Sequence, residues 1–256
     1  MNEENLVTYY NKFNEDKRLT HRHGIVEFTT TMKYIKKYIT KGMKVLDVGA
    51  GSGRYSLELT KLGCEVTAVE LVKHNAKMIE AKSKDIKVIN ANATNLNMLK
   101  DASYDVILLF GPMYHLILKE EKIKALNEAQ RLIKDVGIIM IQYCMNDYAI
   151  IRHGFMDHTI IDEKNNNKVN DNFKVTPDSK DLYSYISLDD INVLNKELNL
   201  TRIDIFSPEG PSDYIRSYIN KMAEDEFNLY LDYIYQISNK KEMLGAASHL
   251  VDIIKK

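Results

Sequence analysis

Apolar residues along this chain come in two rhythms. Short runs fall at Val45, Leu46 and Val48, at EVTAVE (Glu65–Glu70), at Ile86–Asn90, at Tyr104–Phe110 and at GIIMIQY (Gly137–Tyr143). They are rich in β-branched residues and predict strands buried on both faces. Between them, Arg54–Leu62, Lys73–Ser83 and Lys119–Ile133 predict helices. Gly63 stops the first, and Ile123, Leu126, Ala129 and Ile133 share one face of the last. Such alternation builds a parallel sheet with helices on both faces. Right-handed crossovers bring the carboxyl ends of the strands to one edge, and ligands bind there, near the switch point of strand order.

Outside this core the rhythm changes. Residues from about Glu4 to Thr40 predict helices, ended at Lys41–Gly42. After Tyr143, Asn146–Asp181 contains the polar, turn-rich DEKNNNKVNDNFK (Asp162–Lys174), which predicts an exposed insertion forming part of a lid. A helix over Leu188–Leu198 and a strand over Thr201–Phe206 follow. Ser212–Asn239 then predicts two helices, with Ile215, Ile219, Met222, Phe227, Tyr230, Ile234 and Ile237 at helical spacing, and His249–Ile254 predicts a last strand. The expected organisation is a helical cap over residues 1–40 and an α/β domain over 41–256, with insertions at about 146–187 and 212–245.

Composition narrows the class. A chain of 256 residues with 45% hydrophobic content can bury a sizeable core. A formal net charge of -1 gives no global attraction to nucleic acid or anionic membranes. Cys64 and Cys144 have neither metal spacing nor a disulfide framework, which suits a reducing cytosol. MNEENLVTYY lacks the apolar run of a signal peptide, and no stretch is long enough to span a bilayer. The expectation is a soluble cytoplasmic protein. His21 with His23, and His153 with His158, lack supporting ligands at recognisable spacing, so no metal is expected.

The chemistry concentrates in VLDVGAGSGRY, where Gly49, Gly51 and Gly53 join a strand to a helix. Glycines there allow a tight turn and bring backbone N–H groups close to a ligand. Glu70 ends the next strand about twenty residues on, where this fold places a carboxylate to accept ribose hydroxyls. A dinucleotide fingerprint would carry Gly or Ala at the place of Arg54, and a P-loop would carry Gly-Lys-Ser/Thr. The G-x-G-x-G pattern with Asp47 two residues ahead instead resembles motif one of the class I S-adenosylmethionine-dependent methyltransferases. The resemblance extends to Glu70, to NANATNL (Asn90–Leu96) and to the exit of the Tyr104–Phe110 strand.

That resemblance implies a Rossmann-like seven-stranded, mostly parallel sheet, with the last strand inserted antiparallel beside Gly137–Tyr143, and helical or irregular lid insertions. It implies S-adenosylmethionine as cofactor and S-adenosylhomocysteine as product. Gly49, Ala50, Gly51 and Gly53 would form the cofactor loop, Asp47 would help hold the methionine amino group, and Phe110 would line the site. Leu71 would pack on adenine and the Ala93 N–H would face a ring nitrogen. Asn92, where the family often has Asp, would accept from the adenine amino group through its carbonyl oxygen.

Further segments, YYNKFNEDKRLTHRHGIVEF (Tyr9–Phe28), LLFGPMYHL (Leu108–Leu116), SPEGP (Ser207–Pro211) and LGAASHLVDIIKK (Leu244–Lys256), are similar to a bacterial branch of small-molecule methyltransferases. This similarity implies N-terminal helices folded over the cofactor, with Arg22 a candidate partner for the methionine carboxylate and Tyr10 a candidate packing group. A solvated helix face for Arg22 and a core position for Tyr10 are the alternatives.

Gly111–Pro112 and Gly210–Pro211 are matching chain breaks at the ligand-binding edge, and they deliver Tyr114, His115 and Glu209 toward one pocket. His115 is a candidate base or a brace for its loop, Tyr114 could orient an acceptor, and Glu209 could bind a substrate cation or amine. The Asn/Asp-Pro-Pro-Tyr string of many amino-methyltransferases is missing after the Tyr104–Phe110 strand. The expected function is methyl transfer to a small molecule. A nucleic-acid or protein methyltransferase, and a non-catalytic cofactor-binding module, stay open. So do the acceptor atom and the oligomeric state.

Overall fold

The computed structural model describes residues 3–12 and 21–256. Helices α1 (Glu3–Lys12) and α2 (Arg22–Ile35) account for most of the predicted N-terminal segment, and its middle, 13–20, lies outside the described residues. The α/β core follows as β1 (Lys44–Val48), α3 (Arg54–Lys61), β2 (Glu65–Glu70), α4 (Lys73–Lys82), β3 (Lys87–Asn90), β4 (Tyr104–Leu109), α5 (Pro112–His115), α6 (Lys119–Leu132) and β5 (Ile133–Met145). Then come α7 (Asn146–Ala149), a π-helical segment over Ile150–Met156, α8 (Ile160–Asn165), β6 (Tyr185–Ile186), α9 (Leu188–Glu197) and β7 (Thr201–Phe206). The chain closes with α10 (Arg216–Ile219), α11 (Glu224–Ile237), α12 (Lys241–Leu244) and β8 (His249–Lys255).

The sheet order is β3-β2-β1-β4-β5-β8-β7, with the two-residue β6 paired to β5 off this path. Strands β1 to β5 are mutually parallel, and β8 runs antiparallel to both β5 and β7. Order reverses between β1 and β4, so the loops leaving those strands flank the switch point. Alternation along each strand fills both faces. Leu46, Val48, Ile107, Leu109, Ile139 and Ile141 point into a core shared with α6 and α9. Val45, Val66, Val106, Leu108 and Met140 point into the opposite core, with Ile35, Leu59 and Ile79 of α2, α3 and α4. Each such buried side chain stabilises the fold by roughly 1.5–3 kcal/mol.

The inserted strand β8 carries a charge. Asp252 is 0% exposed, and it accepts from Arg202 Nε of β7 and Asn195 Nδ2 of α9, both at 2.6 Å. A buried carboxylate is tolerated because these donors satisfy it. Among the described residues, no helix is long and apolar enough to cross a membrane.

Two segments differ from the sequence expectation. The 146–181 insertion is more ordered than its polarity predicts, because Ile150, Ile160 and Val169 form a small core of their own. The strand predicted over Gly137–Tyr143 is longer, since α6 ends at Leu132 and ladder pairing begins at Ile133, opposite Tyr104.

Candidate functional site

The carboxyl ends of β1, β2 and β4 open a cleft floored by the glycine loop. Gly49, Gly51 and Gly53 have φ of +76°, +56° and +85°, a region glycine enters without steric cost. A Cβ on Gly49 would lie 2.6 Å from Pro112 Cδ, and one on Gly53 would lie 2.9 Å from Ile79 Cγ1. Gly49 therefore lets the β1 and β4 loops touch, and Gly53 lets α3 start against α4. Gly51 faces open space.

Glu70 is 5% exposed and spends both oxygens on backbone donors: Oε1 accepts from Val72 N–H and Oε2 from Gly51 N–H, each at 2.8 Å. Burial pushes its carboxyl up to about 7, against the lowering effect of those two donors. Asp47 is 2% exposed and accepts from Ser56 Oγ at 2.6 Å. Burial pushes it up to about 6, with the Ser56 bonds opposing. Leu71 and Ala93 line one end of the cleft with Val48 and Val72. Asn92 lines it too, but its Oδ1 accepts from both the N–H and the hydroxyl of Thr94, each at 2.9 Å. Both lone pairs of that oxygen serve the local turn, which corrects the expectation that it accepts from adenine.

Ala50, Phe110 and Asp47 line the other end, together with Ser52 and Gln142. Ser52 Oγ is buried there with no hydrogen-bond partner. The open space at Gly51, the orphaned Ser52 hydroxyl and the two buried acids fit a ligand with ribose hydroxyls at one end and an amino acid at the other. Gly53 lines neither end and acts through packing.

Tyr114 stands where both ends of the cleft meet a third cavity of about 620 Å³. The turn that carries it is braced from residues 182–184. Ser184 N–H donates to Tyr114 O at 2.7 Å, and the buried Lys122 Nζ donates to Leu116 O and, at 3.0 Å, to Ser184 Oγ. Burial depresses Lys122 to about 8. His115 is 6% exposed, with Nδ1 2.8 Å from Leu182 O and Nε2 2.8 Å from Tyr10 Oη. A carbonyl only accepts, so Nδ1 carries the proton and Nε2 accepts from the tyrosine. Burial pushes His115 down to about 4. Both nitrogens are engaged and the basicity is low, so of the two candidate roles the geometry favours the brace over the base.

A linkage prediction follows for His115. Its depressed folded value stabilises the protein above about pH 6.5, and this contribution is lost as pH falls toward 4, amounting to roughly 3 kcal/mol. Urea unfolding across that window will show His115→Gln lacking this component of the acid sensitivity. An unchanged acid profile in the variant would refute the buried neutral imidazole.

Arg22 is not brought to the cleft. Its guanidinium donates to Met222 O, and at 3.4 Å to Ile219 O, pairs with Glu224 at 3.3 Å and covers the Phe227 ring at 4.7 Å. It clamps α2 to the helices after β7, which corrects its assignment to a methionine carboxylate. Tyr10 borders both the cleft and the third cavity. Glu209 lines the third cavity, 4% exposed.

Several residues of this cavity carry little sequence signal. Glu27 accepts from Gln142 Nε2 at 2.9 Å, linking α2 to β5. Gln142 within GIIMIQY, a polar residue mid-strand, was the available clue. Tyr148, Tyr183, Tyr185, Asp213 and His249 also line the cavity. One ligand atom each from Glu27, Glu209 and His249 lie within 4.8 Å of one another, so these three could hold a cation, a grouping absent from the sequence expectation.

Residues 46–141 match the family described as a methyltransferase domain. Over this stretch, from β1 into β5, the chain is similar to that family. S-adenosylmethionine is the cofactor of that family. The ribosomal protein L11 methyltransferase of Thermosipho melanesiensis is 29% identical over 147 residues, covering 56% of this chain and 54% of that protein. The chain spans about half the length of such curated relatives, 45% and 54% for two of them. Solved structures show the same fold. A methyltransferase from Thermotoga maritima superposes with a TM-score of 0.61 at 18% identity, covering 97% of each chain. A protein from Pyrococcus horikoshii gives 0.60 at 16%, covering 97% of this chain and 98% of that one. Within the methyltransferase domain lie the glycine loop, Glu70, Asn92 and Tyr114, whereas Glu27, Glu209 and His249 come from outside it.

Proposed function

We propose that this protein transfers the methyl group of S-adenosylmethionine to a small-molecule acceptor held in the cavity beyond Tyr114. The observation that carries this reading is the cavity itself, which joins the cleft at Tyr114 and is large enough for a metabolite. S-adenosylmethionine supplies a methyl group on a sulfonium sulfur, electrophilic without further activation. The chain's part is to hold and align. The glycine loop and Glu70 would hold the nucleoside, and Asp47 with Ser52 the amino-acid end. Tyr114 would stand at the junction, orienting the acceptor. With an acceptor bound between Tyr10 and Tyr183 water would be excluded, and alignment of the acceptor behind the methyl carbon would supply most of the acceleration. A non-catalytic cofactor binder would have no use for so large a cavity at this point. The Thermosipho relative is described as acting on a ribosomal protein; a macromolecular acceptor needs open approach to Tyr114, which shares its cavity wall with Tyr10 of α1 and Tyr183.

The test is incubation with methyl-labelled S-adenosylmethionine and a fractionated metabolite pool. Label is expected in a small-molecule fraction. Label in protein or RNA alone would overturn the acceptor class, and failure to bind S-adenosylhomocysteine in calorimetry would overturn the methyltransferase reading.

A further inference from the structure

The cavity beyond Tyr114 has a chemistry of its own. Glu209 Oε1 accepts from Ser248 Oγ and, at 2.6 Å, from His249 N–H, while Glu209 Oε2 is buried with no partner. A buried carboxylate oxygen left without a donor is a standing demand for one. Asp213 accepts from Tyr148 Oη at 2.6 Å and Arg216 Nη2 at 2.9 Å. Arg216 is the only Lys or Arg among the described residues that line the cavity, and it is committed to this pair. His249 Nδ1 lies 3.3 Å from Glu209 Oε1; burial opposes its charge, but Cys144 and Glu209 hold it well above the usual range. Glu27 and Glu209 both line this cavity. Around those carboxylates stand six tyrosines: Tyr9, Tyr10, Tyr114, Tyr148, Tyr183 and Tyr185.

We propose that the acceptor is a small amine, cationic when it binds, with its nitrogen held at Glu209 Oε2 and its body enclosed by the tyrosine rings; this rests on the methyltransferase reading above. Each part of the wall has a use for such a ligand. The ammonium supplies the donor that Oε2 lacks. Tyrosine faces attract organic cations and pack on their apolar bodies. A divalent metal at Glu27, Glu209 and His249 would use the carboxylates and leave the rings without a role. Glu209 Oε1 is also already occupied by two donors, which suits a carboxylate that grips through its second oxygen.

The reaction balances with Glu209 as proton acceptor. An ammonium has no lone pair, so one proton first passes from nitrogen to Glu209 Oε2. The freed pair forms the nitrogen–carbon bond to the methyl group, the carbon–sulfur bond breaks, and its electrons stay on sulfur. The proton on Glu209 then leaves to solvent, so each turnover yields the methylated ammonium, S-adenosylhomocysteine and one proton.

Calorimetry on full-length protein saturated with S-adenosylhomocysteine tests this. Tyramine is titrated against tyrosol, histamine against histaminol, and putrescine against 1,4-butanediol. At least one amine is expected to bind tenfold or more tightly than its alcohol. Glu209→Gln keeps an oxygen for Ser248 and His249 and should abolish that preference without changing S-adenosylhomocysteine affinity. Glu27→Gln, which keeps an acceptor for Gln142, should reduce it. The proposal is overturned if no pair shows a preference, or if the preference survives both substitutions. Stoichiometric binding of zinc chloride, lost in Glu209→Gln and without any amine preference, would equally overturn it and place a metal there. Loss of S-adenosylhomocysteine binding by the unsubstituted protein would instead bring down the methyltransferase reading.

Discussion

Replacing Glu70 with alanine will weaken S-adenosylhomocysteine binding by about 1–3 kcal/mol, the range for losing a buried carboxylate–hydroxyl pair. Its two N–H donors, Gly51 and Val72, lose their partner in the same substitution, so loop geometry suffers with the ligand contact. Glu70→Gln keeps one acceptor oxygen and should fall between wild type and alanine. Binding should also depend on pH. In the proposed role the carboxylate form would accept ribose hydroxyls, and in the free protein burial pushes this acid up to about 7. Below that pH a proton must leave for the ligand to bind, so affinity drops by up to tenfold per unit of acidification, and it levels off above. Calorimetry from pH 8 to pH 6 on wild type and Glu70→Gln measures this directly. An identical pH dependence in both would remove Glu70 from ligand binding.

Gly49→Ala is expected to be at least as damaging. The substitution forces a side chain into φ +76° and sets its Cβ 2.6 Å from the Pro112 ring. The ring is rigid, so the β1 and β4 loops must separate at the switch point. Strain and overpacking together should cost roughly 2–4 kcal/mol, read as a lower urea midpoint. Cofactor affinity should fall with it, because the same loop floors the cleft. Gly51→Ala makes the informative control. It shares the positive φ, but its Cβ meets nothing within 4 Å, so its stability loss should be smaller. Equal losses at both positions would show that backbone conformation alone, and not the contact with Pro112, decides the effect.

How far the sequence could be read follows from the range of the interactions involved. The central strands, the glycine turn and Glu70 were legible because their signals are local: apolar runs, a positive-φ requirement, one acid at a strand end. The antiparallel last strand came through resemblance and stands between β5 and β7. What escaped was partner choice over distance. Arg22 meets carbonyls about 200 residues away, and nothing near it in sequence foretells that. Glu27 and Gln142 are separated by 115 positions. For His115 the sequence leaves base and brace both open, because a histidine's intrinsic range suits either. Burial and the Leu182 carbonyl, 67 positions on, favour the brace. Asn92 shows the reverse limit, since the competitor for its carbonyl oxygen, Thr94, is only two positions on.

Tyr10 borders both the cleft and the tyrosine-walled cavity, and its hydroxyl is tied to His115. One side chain thus belongs to two rooms. A change at Tyr10 therefore alters the walls of both at once.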